Sequence, residues 1–75
     1  MSLLLPQTRT GTVQSVRLVD LHGDRYVDVV VLLDDPDAAS VTGRVGATEC
    51  PPELTPGERV SVRFTMGVIV RVSRA

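Results

Sequence analysis

Histidine, cysteine and clustered carboxylates are the residue types in this chain that could perform chemistry, and each occurs sparsely. His22 is the only histidine and stands in "DLHGD" between Asp20 and Asp24, so a His–Asp pair is conceivable. Catalysis through such a pair needs a nucleophile beside it. Cys50 is the one thiol, but Pro51 and Pro52 follow it and bring no backbone N–H for an oxyanion. Asp34, Asp35 and Asp37 gather carboxylates in "DDPD". Calcium takes six to eight oxygens from several positions, and the remainder of a calcium-loop pattern is missing, so turn chemistry explains these aspartates better. No metal, cofactor or catalytic group is expected, and the chain reads as a non-enzyme.

Arg59, Arg63, Arg71 and Arg74 form a second kind of candidate, a cationic surface for phosphates or an acidic partner. Single-stranded nucleic acid is bound by a basic groove with aromatic stacking platforms. Tyr26 and Phe64 are the only aromatic residues, and the formal net charge is -1. Charge and aromatic count both speak against nucleic acid, which remains the alternative reading of this surface.

These residues must be carried by a small fold. Seventy-five residues make one domain with a modest core, and 43% apolar with 23% charged residues lies in the globular range. Residues 1–75 read as one unit, with 1–7 as a loose N-terminal segment. Leu3-Leu4-Leu5 ends at Pro6, far short of a bilayer span of about 20 residues. A single cysteine and no secretory signal point to the cytoplasm.

The periodicity is that of strands throughout. Five are expected, at 8–19 with an interruption at Gly11, 25–33, 38–45, 58–64 and 68–73. In the last two, Val60, Val62 and Phe64 share one face, as do Val68, Val70 and Val72, and both triplets are expected in the core. Setting Phe64 opposite Val68 leaves a three-residue loop, Thr65-Met66-Gly67, with glycine at the position that favours positive φ. The opposite face then pairs Arg63 with Ile69 and Ser61 with Arg71.

The second strand is apolar on both sides. Val27, Val29, Val31 and Leu33 lie on one face, and Val30 and Leu32 on the other beside Tyr26 and Asp28. Either the 46–57 connection or the N-terminal leucines cover that second face, or a partner protein does. Tyr26, Val30, Leu32, Arg63 and Arg71 are therefore the candidate binding residues.

Five short strands with a long connection between the third and fourth match an all-β OB-fold, a partly open five-stranded Greek-key barrel, with an SH3-like barrel as the alternative. The three prolines of "ECPPELTPG" forbid the regular helix that often fills this gap, leaving at most one turn at Pro52-Glu53-Leu54.

Four segments, "GTVQSVRLV", "YVDVVVLLDD", "SVTGRVGA" and "PPELTPGERVSVRF", stand in the order and at about the spacing of a known family. With them the chain resembles the OB-fold domain of the acyl-CoA-associated family called "domain of unknown function 35". The resemblance covers most of residues 11–64 and rests on order and pattern. It implies a non-catalytic accessory module beside a thiolase-like or ketosynthase-like enzyme subunit, with an acyl-thioester as the associated ligand; self-association is compatible with it. The family's zinc ribbon has no counterpart, because the chain contains no CxxC pair.

Overall fold

The computed structural model describes residues 6–34 and 38–75. Its elements are β1 (Gln7–Leu21), β2 (Asp24–Leu33), β3 (Ser40–Gly46), a single 3-10 turn (Ala47–Glu49), β4 (Arg59–Thr65) and β5 (Val68–Arg74). They form one antiparallel sheet in the order β3-β2-β1-β4-β5. β1 begins at Gln7, one residue inside the segment expected to be loose, and runs through Gly11. A Cβ at that position would meet the Leu32 carbonyl oxygen and the Val31 side chain.

β1 is long enough to serve both halves of the sheet. Its first half pairs with β4, from Gln7 opposite Phe64 to Thr12 opposite Arg59, while its second half runs on with β2 alone to Leu21 opposite Asp24. Between Val13 and Ser15 the register with β2 shifts, so Gln14 is the extra residue of a bulge. Both Val13 and Val16 thereby face Val31 and Val29.

The inner face of the curled sheet holds the core, including Val13, Val29, Val31, Val60 and Val62, each at most 2% exposed. Val27, Leu33, Val45, Phe64, Ile69 and Val72 complete its strand contribution. Cys50 and Leu54 join it from the connection and plug one end. Burying side chains of this size stabilises by about 1.5–3 kcal/mol each, the main favourable term for so short a chain.

The β4–β5 hairpin departs from the expected register. Phe64 stands opposite Ile69 and Thr65 opposite Val68, leaving Met66-Gly67 as a two-residue turn at φ 53° and 77°. Two-residue turns with positive φ at both centres match the twist of the flanking strands. The register then shifts, Arg63 opposing Arg71 and Val62 opposing Val72, with Val70 as the extra residue. Val68 and Val70 are consequently exposed, at 59% and 41%, and Ile69 takes the core position expected of them. Ser61 opposes Ser73 instead of Arg71.

β3 and β5, the two edges of the sheet, come side by side without a ladder between them among the described residues. Gly43 makes the approach possible, since a Cβ there would lie 2.8 Å from Cβ of Ile69. The sheet is thus curled but not closed by hydrogen bonds into a barrel. No regular helix fills the gap before β4. The 3-10 turn at Ala47–Glu49 precedes the prolines, and a tight turn follows at Pro52-Glu53 with Glu53 at φ 57°. No helix among the described residues is long and apolar enough to cross a membrane.

Candidate functional site

Alternation along β2 sends Tyr26, Asp28, Val30 and Leu32 to the outer face because Val27, Val29, Val31 and Leu33 are drawn into the core. Val30 lies between Ser15 of β1 and Thr42 of β3, and Leu32 between Thr12 and Ser40. Short polar neighbours leave these two side chains standing above the surface, with Leu32 37% exposed and Val30 and Tyr26 half-buried. The 46–57 connection does not cover them, for its apolar residues Cys50 and Leu54 enter the interior. The N-terminal leucines lie outside the described residues.

Asp28 completes this strip. Arg44, its cross-strand partner, donates from Nε and Nη2 to the two carboxylate oxygens at 2.7 and 3.0 Å. That hydrogen bond holds the Asp28 carboxyl below its usual value. The strip is therefore apolar with an internally neutralised pair at its centre.

Arg63 and Arg71 belong to the other half of the outer face, with β1 between them and β2. They oppose one another directly across β4 and β5, an unfavourable like-charge pair. Arg71 is drawn off to Glu49, Nε to Oε2 at 2.6 Å. The remaining arginines of the expected cationic surface are engaged as well. Arg59 grips Asp34 through both Nη atoms, and Arg74 donates to Glu58 at 3.0 Å and to the Pro52 carbonyl at 2.8 Å. Of the four, Arg63 alone has no hydrogen bond or ion pair among the described residues. The five candidate residues are thus not one site but a β2 strip and a separate arginine pair.

His22 sits with Gly23 in the two-residue β1–β2 turn, at φ 53° and 86°, and is exposed. Cys50 is buried, and burial pushes its thiol up despite the nearby charge of Arg74, which makes it a poorer nucleophile. Asp34 serves Arg59 and Thr10, and Asp35 and Asp37 lie outside the described residues. Among the described residues no three His, Cys, Asp or Glu side chains converge as metal ligands.

One feature escaped the sequence reading. Where β1 and β2 outrun β4, their inner face faces the Cys50–Pro56 segment across an apolar cleft of about 340 Å³ lined by Val16, Leu18, Pro51, Leu54 and Pro56, with Glu53 at its rim. Leu18 is 81% exposed there. A signal existed in the difference of length, since the strand expected at 58–64 cannot accompany the whole of the one expected at 8–19. Compared with models of protein families, with curated proteins and with solved structures, the chain matches none.

Proposed function

We propose that this chain is a non-catalytic OB-fold-like accessory module that docks through the outer face of β2 onto an acyl-CoA or acyl-carrier enzyme of the thiolase-like or ketosynthase-like kind. The observation that carries the docking reading is the apolar pair Val30 and Leu32, raised above short polar neighbours and covered by nothing among the described residues. Isolated apolar side chains on a surface are ordinary, but two on successive outward positions of a central strand, beside a half-buried tyrosine, suit a partner's apolar patch.

The strand order and the side-by-side edges support an OB-fold-like barrel left open between β3 and β5. The class of partner is supplied by the resemblance of the four segments. Nucleic acid is the weaker reading because Arg59, Arg71 and Arg74 already hold carboxylates, so a phosphate would have to displace them.

The test is capture of partners by the tagged, full-length chain followed by mass spectrometry, with Val30→Asp as control. An acyl-thioester enzyme retained by the unaltered chain and lost on Val30→Asp is expected, since the substitution sets an unpaired charge in a desolvated contact. Partners of another class, or retention by Val30→Asp, would count against it.

A further inference from the structure

The second half of β1 has an edge that no strand covers. The ladder with β4 ends at Thr12, and one further pair of hydrogen bonds joins Val13 to Gly57 and Glu58, at 2.8 and 2.9 Å. Beyond it, β1 continues to Leu21 with β2 on one side and no strand on the other among the described residues. The hairpin turn fixes which backbone groups are left open. Leu21 and Asp24 flank His22-Gly23 and so form the hydrogen-bonded pair that closes the hairpin. Alternation then bonds Val19, Arg17 and Ser15 to β2, and directs the N–H and C=O groups of Val16, Leu18 and Asp20 to the open side. No hydrogen bond reaches those groups among the described residues. Val16 and Leu18 also turn their side chains to the core face, opposite Val29 and Val27, so the open edge borders the apolar cleft floored by Pro51, Leu54 and Pro56.

We propose that this edge takes up an extended segment of a partner protein. The segment adds to the sheet as a strand antiparallel to β1, in the space that β4 leaves, and sets alternate apolar side chains into the cleft. It does so independently of the β2 strip, which lies on the outer face. Unpaired backbone groups specify another backbone, and an apolar cleft along the same edge supplies the pockets for alternate side chains that strand addition uses. The cleft, at about 340 Å³, is more than twice the roughly 150 Å³ that admits a benzene-sized group. The edges at β3 and β5 offer no such place, because they lie against one another with Gly43 beside Ile69.

A second copy of the chain does not suit this edge. Antiparallel self-pairing about a two-fold axis would centre on Arg17, Leu18 or Val19. The first sets Arg17 opposite its own copy, and the other two set Asp20 opposite Val16 or Leu18, a carboxylate against apolar side chains. The same charges describe the partner's strand. It carries aliphatic side chains opposite Val16 and Leu18, a basic one opposite Asp20 and an acidic one opposite Arg17.

The probe is the acetylated, amidated heptapeptide threonine-lysine-threonine-valine-glutamate-valine-threonine, titrated to millimolar concentration into the full chain and followed by amide NMR and hydrogen exchange. Binding is expected to slow exchange at Val16, Leu18 and Asp20, which the free chain leaves open, with little change at Arg17 and Val19, which β2 already holds. N-methylating the two valines removes the donors facing β1 and should weaken binding by about tenfold or more, whereas N-methylating the central threonine and the glutamate, whose N–H groups face away, should not. Leu18 is 81% exposed, so Leu18→Asp should leave the circular dichroism unchanged and abolish binding. Asp20→Lys should weaken it, and exchanging the peptide's lysine for glutamate should restore it. A peptide that does not bind, or that binds equally in both N-methylated forms, overturns the proposal. Slow exchange at Val16, Leu18 and Asp20 that appears in the chain alone as its concentration rises assigns the edge to a second copy and overturns it equally.

Discussion

Asp34 accepts hydrogen bonds from both Nη atoms of Arg59, at 2.6 and 2.5 Å, and from the Thr10 hydroxyl at 2.9 Å. Arg59 first and Thr10 second hold its carboxyl down at about 2, and Arg59 is raised in turn. A carboxyl depressed in the folded state stabilises fully above its unfolded value near 3.8, and that contribution is lost as pH falls toward about 2. Asp34→Asn should therefore flatten the fall of melting temperature between about pH 4 and pH 2; an unchanged acid limb would show that the pair contributes nothing. The partnership was invisible in the sequence. Asp34 and Arg59 are far apart along the chain, and "DDPD" reads as turn chemistry. The exposed arginines were legible as a face, but not the carboxylates that occupy them.

The hairpin shows where alternation misleads. Its four apolar residues between Val68 and Val72 are interrupted only by Arg71, so the plain alternation that puts Val68, Val70 and Val72 inside competes with a bulged one that buries Ile69 and Val72. What decides is turn twist, which favours two residues over three, and the bulge at Val70 then restores Val72 to the core. A pair of alanine substitutions separates the two registers. Ile69→Ala should cost about 2–5 kcal/mol, the usual range for a buried isoleucine, whereas Val68→Ala should stay within about 0.5 kcal/mol. Denaturant unfolding in which Val68→Ala is the costlier change would restore the three-residue loop. β2 was the most legible element, because Val27, Val29, Val31 and Leu33 share the face opposite Asp28 and all four are buried.

At the scale of the whole molecule, five strands and their antiparallel order followed from pattern and connection length, whereas closure depended on contacts no pattern encodes. Gly43 is the point where β3 meets β5, and Gly43→Val would drive a side chain into Ile69. Overpacking of this kind typically costs about 1–3 kcal/mol, and the melting temperature should fall accordingly. A neutral Gly43→Val would mean that the two edges do not pack. The β2 strip stands on this scaffold, two strands from the arginine pair, and the account makes the strip the docking surface. The most direct measurement is titration calorimetry of the purified chain at about 150 mM salt, against the acyl-thioester enzyme it captures and against a generic single-stranded oligonucleotide. The enzyme is predicted to bind the unaltered chain and the Arg63→Ala, Arg71→Ala double variant but not Val30→Asp, with no oligonucleotide binding below micromolar. Sub-micromolar oligonucleotide binding that survives Val30→Asp and disappears in the double arginine variant would contradict it.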